Sequence, residues 1–202
     1  MTPSRAELAL SSLDDSTGTI VLVEGESHAA AVTTLAARFE SDRPDALQVL
    51  SAYGITNYRR LLSHLRSDEP DRRVAGLYDE PEEHVVRRAL GSSGFGLAWS
   101  RADIEQLGFF ACVADLEDDT IRALGTDRVE QMVEEQGELA AFRIMQKQPA
   151  QRDRPAAQQL RRFMGTRSTR KVRYGRLLAA AVELDRCPEP LRRIVVPDGA
   201  TG

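Results

Sequence analysis

The sequence predicts an α/β protein in which a small, mainly parallel β-sheet is flanked by helices and followed by a C-terminal helical extension. Three observations support this fold class. Short apolar runs alternate with amphipathic segments over the first half of the chain, the connections between them are short, and helical periodicity dominates from about Thr126 onward. Such alternation is typical of parallel strands that are joined by right-handed helical crossovers.

The predicted sheet contains about four strands, each a short run rich in apolar and β-branched residues. The first run is continuously apolar, as expected for a strand that helices cover on both faces. In chain order the four runs are TIVLVEG, DALQVLSAYG, RRVAGLYD and GFFACVADLEDD.

The helices are predicted from apolar residues at helical spacing. Asn57 is expected to cap the helix after the second strand, and Pro81 to open the helix after the third. Later helices are TDRVEQMVEEQG, with Thr126 as its cap, ELAAFRIMQ, RPAAQQLRRFMG and STRKVRYGRLLAAAVEL. We therefore divide the chain into an N-terminal segment (1–18), an α/β core (19–125), a helical extension packed on the core (126–186) and a tail (187–202).

Composition excludes several classes of protein. The chain is 42% apolar and 29% charged, which is ordinary for a globular protein. It has neither the ~20-residue apolar run of a membrane span nor a signal-peptide pattern, so we expect a cytoplasmic protein. Cys112 and Cys187 are too isolated to predict a disulfide or a zinc site, and the histidines, His28 among them, show no metal-ligand spacing.

Charge is unevenly distributed along the chain. Residues 101–138 contain eleven acidic and three basic side chains, whereas residues 147–176 contain ten basic residues and one acid. One interpretation is a polyanion site, with carboxylates for metal and a positive surface for phosphates. The predicted nucleic-acid-binding residues on that surface are Arg161, Arg162, Arg167, Arg170 and Arg173. The other interpretation is that the two segments form solvated helix faces that pair with each other.

Acidic residues follow three of the predicted strands: Glu24, Asp79, and a cluster that includes Asp115, Glu117 and Asp118. Ligands of open parallel sheets bind beyond the carboxyl ends of the strands, so these acids are expected to meet at one edge. Crowded carboxylates repel one another and favour a cation, and hard oxygen ligands favour Mg²⁺ or Mn²⁺. Such a site beside basic helices suits phosphodiester hydrolysis.

Simpler roles remain open for these acids. Glu24 and Asp79 could each stabilise the N-terminus of the following helix, where carboxylates are favoured, and the cluster around Glu117 could be an acidic first helical turn. Gly25 is expected to let the first strand turn sharply, so that Glu24 faces the ligand edge.

The motifs LVEGESH, GLYDEPEE and VADLEDD resemble the three acidic motifs of a TOPRIM domain, the Rossmann-like fold shared by type IA topoisomerases, bacterial primases and overcoming-lysogenization-defect (OLD) nucleases. The OLD branch is the most similar. Its TOPRIM domains share the turn in AYGITN, the Leu-Glu pair in DLEDD and a lysine that begins a late helix, here in RKVRYGRLL. The resemblance covers residues 20–184.

The resemblance implies roles for individual residues. Glu24 would bind metal and take part in proton transfer, and Asp79 would be a central metal ligand. Glu117 would belong to a second metal site, together with Asp115 or Asp118. Lys171 would neutralise charge at the scissile phosphate or the leaving oxygen.

This chain also departs from the family pattern. His28 stands where family members carry an acid, and Asp79-Glu80-Pro81 replaces an Asp-x-Asp, so that Glu82 or Glu83 would have to substitute for the second Asp. These departures bear on whether the site holds one metal or two.

The leading functional hypothesis is a metal-dependent nuclease or nickase acting on DNA, with RNA left open as a substrate. OLD nucleases carry an ATPase domain ahead of the TOPRIM unit, for which these 202 residues have no room, so we expect independent action or a separate ATPase partner. A homodimer is left open. The alternatives are a non-catalytic nucleic-acid-binding or assembly module with a degenerate site, and a primase-like phosphoryl-transfer enzyme.

Overall fold

The computed structural model describes residues 4–13, 18–39, 47–68 and 72–196. Its sheet has four strands in the order β2-β1-β3-β4, and every neighbouring pair is parallel. The predicted α/β fold class is therefore confirmed. The strands are Thr19–Val23 (β1), Leu47–Ser51 (β2), Arg73–Asp79 (β3) and Phe109–Cys112 (β4).

Helices cover both faces of the sheet, which explains the continuous apolar run of β1. Alternate residues of a strand point to opposite faces. Ile20 and Leu22 accordingly belong to one hydrophobic core, and Val21 and Val23 belong to the other. All four side chains are fully buried, so the strand has no solvated face to carry polar residues.

One helix of the described residues precedes β1, one lies between β1 and β2, one between β2 and β3 and two between β3 and β4, and after β4 the helices follow one another. Those of the α/β part are Arg5–Leu10 (α1), Glu26–Arg38 (α2), Tyr58–Asp68 (α3), Glu83–Ser92 (α4), Arg101–Gln106 (α5) and Leu116–Leu124 (α6). Those that follow are Thr126–Glu135 (α7), Leu139–Gln146 (α8), Ala156–Met164 (α9), Ser168–Ala181 (α10) and Glu189–Val195 (α11). None of the helices described is long and apolar enough to cross a membrane.

The helical extension builds a third core of its own, centred on Phe142, Phe163 and Tyr174. Helix α10 joins this core to the rest of the molecule. It contributes Leu178 to the third core and Ala179 to the core between the sheet and α2. Helix α6 is shared as well, since Leu116 belongs to the core between the sheet and α2 and Ile121 belongs to the third core, so both helices attach the extension to the sheet.

Local details differ from the sequence-based expectations. A 3₁₀ turn at Ile55–Asn57 precedes α3, and the Asn57 side chain donates to the Ala52 carbonyl rather than capping that helix. Gly125, not Thr126, occupies the N-cap of α7. Three short helices were not expected: α1 within segment 1–18, α5 before β4, and α11 within segment 187–202. Residues 1–3, 14–17 and 197–202 lie outside the described residues.

Candidate metal centre

The parallel register brings the strand-end acids to one edge of the sheet. Val23 pairs with Leu77, so Glu24 follows β1 at the edge where Asp79 ends β3. Asp79 in turn pairs with Cys112, the last residue of β4. The loop after β4 then leads into α6, which carries Glu117. Glu24, Asp79 and Glu117 therefore occupy the same end of the sheet.

Asp79 is held in place by two hydrogen bonds. Its Oδ1 accepts from Nε2 of His28 at 2.9 Å and from the backbone N–H of Leu116 at 3.1 Å. Burial alone would raise the pKa of Asp79, but the hydrogen bond and charge of His28 outweigh it and hold that pKa below its usual value. Asp79 makes no side-chain cap bond to the following 3₁₀ turn, so the helix-cap alternative does not describe it.

His28 is the basic partner of this edge. Its side chain is only 2% exposed. Burial would lower the pKa of His28, yet the hydrogen bond and charge of Asp79, aided by Glu117 and Glu24, raise it above the usual value. These contacts favour the protonated form of His28, which is a counterion for the buried acids. The sequence analysis assigned it no chemistry because no ligand spacing marks it.

Glu24 is a half-buried carboxylate with one oxygen, Oε2, that is buried and lacks a hydrogen-bond partner. Burial and the charge of Asp79 raise the pKa of Glu24. No side chain caps α2, whose N-cap is Gly25, so Glu24 is not a helix cap either.

The expected role of Gly25 is wrong. Its backbone is extended, with φ −156°, and a Cβ at this position would meet no atom within 4 Å. Neither a turn nor internal packing therefore requires glycine at the start of α2.

Glu117 is the most deeply buried acid of the edge. It lies in the first turn of α6 but points inward, with 2% of its side chain exposed. Both carboxylate oxygens are buried without a hydrogen-bond partner, and Nζ of Lys171 lies 3.5 Å from Oε2, an ion-pair distance. Burial raises the pKa of Glu117 despite the charges of Lys171 and His28. The cluster does form the acidic first turn of α6, as the simpler alternative proposed, but Glu117 itself is buried in it.

Lys171, on α10, also lies at this edge, beside Glu117. Burial would lower the pKa of Lys171, but Glu117, Asp79, Asp115 and Glu24 together raise it. The position of α10 depends on Gly175, one turn further along. A Cβ at that residue would stand 2.7 Å from the carbonyl oxygen of Ser27, so α10 lies directly on the first turn of α2.

Asp115 and Asp118 are engaged in other contacts. Asp115 is the N-cap of α6: its Oδ1 accepts from the backbone N–H of Asp118 at 2.8 Å, and its Oδ2 accepts from Nε of Arg161 at 2.5 Å. Asp118 pairs with Arg122 at 2.7 Å. The preceding residue, Ala114, has a left-handed backbone with φ 64°, a conformation that costs a non-glycine residue energy and recurs at functional sites.

A cationic cleft of about 340 Å³ opens beside Glu117 and Lys171. Its wall also contains Asp115, Arg154, Gln158, Arg161, Arg162 and Gly165. Of the arginines predicted to bind nucleic acid, Arg161 thus lies at the cleft but is paired with Asp115. Arg162 lines the cleft and is exposed, and Arg167, just ahead of α10, is exposed as well.

Arg170 and Arg173 are not part of the cleft wall but belong to an ionic cluster around Glu138. Both pair with Glu138, which also accepts from the hydroxyl of Tyr174 at 3.0 Å. The guanidinium of Arg170 stacks 4.1 Å from the ring centre of Phe163. The acidic and basic segments therefore do pair with each other in part, as the simpler interpretation of the charge pattern proposed. A role for these two arginines in nucleic-acid binding stays a prediction.

Cys112 is, beside His28, a second component of the edge to which the sequence analysis assigned no role. Its Sγ, a ring nitrogen of His28 and a carboxylate oxygen of Asp79 all lie within 4.8 Å of one another. Burial, together with the charges of nearby acids such as Asp119, raises the pKa of the Cys112 thiol well above its usual value. The three residues come from three elements, so no linear spacing could have revealed the cluster.

Comparisons of the whole chain place this architecture among known folds. No protein-family model matches the sequence, and no curated protein matches it. Solved structures do match. The C-terminal region of the OLD protein of Xanthomonas campestris pv. campestris is 19% identical with a TM-score of 0.63, and the match covers 90% of this chain and 94% of that one. The corresponding region of the Burkholderia pseudomallei OLD protein is 18% identical with a TM-score of 0.61, covering 89% and 95%.

The chain has the fold of the OLD C-terminal region. The resemblance predicted from the acidic motifs is thereby confirmed for the fold. Within this OLD-type fold, the segment after Asp79 is a 3₁₀ turn whose acids differ in their contacts. Glu80 and Glu83 both pair with Arg101 at 2.7 Å, whereas Glu82 acts electrostatically on Glu24. Of the two candidates for the missing second acid, Glu83 is engaged by Arg101, whereas the charge of Glu82 helps to raise the pKa of Glu24. Glu82 is therefore the candidate that influences the site.

Proposed function

We propose that this chain is a divalent-metal-dependent nuclease or nickase that hydrolyses DNA phosphodiester bonds at the carboxylate edge. The observation that carries the proposal is Glu117. A carboxylate that is 2% exposed, has no hydrogen-bond partner and lies 3.5 Å from a lysine at a cationic cleft is costly to keep unless it has a ligand to bind. The choice of DNA rests on the resemblance to OLD nucleases.

The carboxylates of this edge are of the type that suits Mg²⁺ or Mn²⁺. Among the described residues, the oxygens of Glu24, Asp79 and Glu117 are not all within 4.8 Å of one another, so binding would draw them together. Glu24 and Glu117 hold buried oxygens without partners, and Asp79 lies at the same sheet edge. Carboxylate oxygens are the ligands that these hard cations prefer. Asp115 and Asp118, which the resemblance assigned to a second site, are engaged with Arg161 and Arg122. We therefore propose one principal ion, held by Glu24, Asp79 and Glu117. When bound, such an ion polarises the phosphate and neutralises charge that develops on its oxygens.

The protein's own residues supply the remaining chemistry. Hydrolysis joins a water oxygen to phosphorus and breaks one phosphorus–oxygen ester bond, so the water loses a proton and the leaving oxygen gains one. Glu24 would accept the water proton, a role that its pKa, raised by burial and by the charge of Asp79, supports. Lys171, whose raised pKa keeps it charged, stabilises the negative charge on the phosphate and the leaving oxygen. Arg162 and Arg167 bind the flanking DNA backbone.

A second candidate function has its own support in the structure. His28 and Lys171 already neutralise the buried acids, and Arg161 occupies Asp115. Such internal pairing is what a non-catalytic nucleic-acid-binding or assembly module, with a degenerate site, would also retain. A separate ATPase is a proposed partner under either function.

The deciding experiment is the nicking of supercoiled plasmid in Mg²⁺ or Mn²⁺, with an EDTA control. We expect wild-type protein to nick, and Glu24→Gln and Asp79→Asn to lose that activity because each removes a carboxylate from the site. Glu189→Gln is the matched control, since it removes an exposed carboxylate that pairs with Arg192 on α11.

Two results would favour the binding module instead. One is DNA binding without metal-dependent nicking by the wild type. The other is nicking that persists in both Glu24→Gln and Asp79→Asn. Such activity would come from a contaminating nuclease and not from the carboxylate edge.

A further inference from the structure

One cluster at the sheet edge has a donor set unlike that of a magnesium centre. Nε2 of His28 lies 2.9 Å from Oδ1 of Asp79, and Sγ of Cys112 completes a group whose atoms all lie within 4.8 Å of one another. The group is fixed by the fold: Asp79 and Cys112 are direct register partners on β3 and β4, and His28 is in the first turn of α2.

One nitrogen, one oxygen and one sulfur donor favour a different class of ion. Thiolate and imidazole ligands select zinc and similar transition metals, whereas magnesium takes oxygen ligands almost alone. With bonds of about 2.0–2.3 Å, tetrahedral ligand atoms lie about 3.3–3.8 Å apart. The cluster therefore needs its most distant atoms to approach by about an ångström, which side-chain rotation provides.

The surroundings also suit a tightly held ion. Cys112 is fully buried and His28 is 2% exposed, so water competes little for the donors. The charge of Glu117 acts on both His28 and Cys112, and both of its oxygens are buried without a hydrogen-bond partner. This nearby negative charge favours a cation at the cluster, whose fourth coordination position stays open to water or another ligand.

We propose that His28, Asp79 and Cys112 form a binding site for a zinc-class transition-metal ion, with the fourth coordination position left open. Binding releases the thiol proton of Cys112 and, where His28 is protonated, one imidazolium proton; both pass to solvent, and no oxidation is involved. Because Asp79 would serve both ions, zinc occupancy excludes magnesium from the edge. This competition rests on the proposed nuclease function, whereas the binding itself does not.

Cobalt is the probe for binding, because Co²⁺ enters zinc sites and a cobalt–thiolate bond has a charge-transfer band in the near ultraviolet. We expect a titration of the metal-free wild-type chain with Co²⁺ to give this band and to saturate at one ion per chain. Cys112→Ser should abolish the band. Cys187→Ser is the matched control: Cys187 is also buried but is no part of the cluster, so its loss should leave the band unchanged.

A second variant guards against misfolding of Cys112→Ser. His28→Gln keeps the thiol and should weaken Co²⁺ binding by about tenfold or more, since even loss of a residue behind a metal ligand costs that much. Circular dichroism should show that both variants keep wild-type helix content. A wild type without a charge-transfer band, or a band that persists in Cys112→Ser, would overturn the proposal.

Cleavage separates this proposal from the proposed function. In plasmid nicking supported by Mg²⁺, added Zn²⁺ should inhibit the wild type and inhibit Cys112→Ser much less. Cobalt binding through Cys112 in a protein that never nicks would support the metal site and refute the nuclease. Nicking in Mg²⁺ by a protein that shows no cobalt–thiolate band would support the nuclease and refute the metal site.

Discussion

Gly175 of α10 lies so close to Ser27 of α2 that a Cβ at residue 175 would stand 2.7 Å from the Ser27 carbonyl oxygen. Real Cβ atoms do not approach a backbone oxygen this closely, so a larger residue here would push the two helices apart. Lys171 is four residues earlier, on the same face of α10, and lies 3.5 Å from Glu117. The lack of a side chain at Gly175 therefore lets α10 lie close to α2, and this position of α10 brings Lys171 to Glu117.

Gly175→Ala should destabilise the protein. Alanine gains about 1 kcal/mol of helix propensity over glycine, but overpacking against fixed backbone costs about 1–3 kcal/mol, and the cost should win because a carbonyl cannot rotate away. We expect a Tm lower by a few degrees, and weaker nicking because Lys171 moves from Glu117. Gly25→Ala is the control: its Cβ would meet nothing within 4 Å, so the Tm should stay unchanged. Equal Tm values for the two variants would contradict the close approach of the helices.

Neutralising Glu24 and neutralising Asp79 should have opposite effects on stability in the absence of metal. Burial and Asp79 raise the pKa of Glu24, so its charge is unfavourable in the folded state, and Glu24→Gln should stabilise by about 0.5–2 kcal/mol. His28 holds the pKa of Asp79 low, so Asp79→Asn loses a charged hydrogen bond and should destabilise by about 1.5–3 kcal/mol.

Urea unfolding at pH 7 in EDTA measures both variants. From the sequence, Glu24 and Asp79 are equivalent members of a cluster of repelling acids. A change of the same sign in the free energy of unfolding of both variants would support that interpretation and contradict the prediction. Adding Mg²⁺ should raise the Tm of the wild type by mass action and raise that of Asp79→Asn much less.

Arg162 and Arg167, the exposed members of the set predicted to bind nucleic acid, should carry the salt-dependent part of DNA binding. Replacing both with alanine should weaken binding and flatten the dependence of log K on log salt by about 0.9 for each DNA phosphate that is no longer neutralised. Arg128→Ala is the control, because Arg128 is exposed but pairs with Glu135 on α7. Titrations at several salt concentrations would measure the slopes, and an unchanged slope in the double variant would show that DNA binds elsewhere.

The cluster around Glu138 should make stability depend on pH below neutrality. Burial alone would raise the pKa of Glu138, but hydrogen bonds from Arg170, Tyr174 and Arg173 hold it below the ordinary value of 4.5. A carboxyl whose pKa is lower when folded stabilises the protein above the unfolded pKa and loses that contribution as the pH falls through the folded pKa. The Tm gap between wild type and Glu138→Gln should therefore be full at about pH 6 and close as the pH falls below 4.5.

Comparison with Glu189→Gln, which removes an exposed acid from α11, separates this effect from general charge loss. A gap that stays constant down to low pH would mean that Glu138 acts by packing rather than by charge.

The sequence predicted what local patterns determine. The strands are recognisable because Ile20, Val21, Leu22 and Val23 are all buried, which leaves an apolar run with no polar interruption. The acids at strand ends followed from the same runs, since parallel strands end at a common edge. Helices α5 and α11 are only six and seven residues long, too short to show helical periodicity.

What the sequence did not predict depends on contacts between distant elements. His28 and Asp79 are 51 residues apart, and only the packing of α2 over the sheet brings them together. In the sequence, Gly175 only weakens a predicted helix, because its contact with the Ser27 carbonyl depends on the packing of two distant helices. The arginines of the basic segment look alike in sequence, and nothing local tells that Arg170 pairs with Glu138 while Arg162 lines the cleft.

The sharing of α10 between two hydrophobic cores links the site to the cooperativity of folding. Tyr174 and Leu178 stabilise the helical extension, whereas Ala179 of the same helix packs beneath the sheet. A partial opening that released α10 would withdraw Lys171 from Glu117 while leaving Glu24 and Asp79 on intact strands. Local stability of the extension, which native-state hydrogen exchange would measure, therefore sets the fraction of molecules whose site is complete.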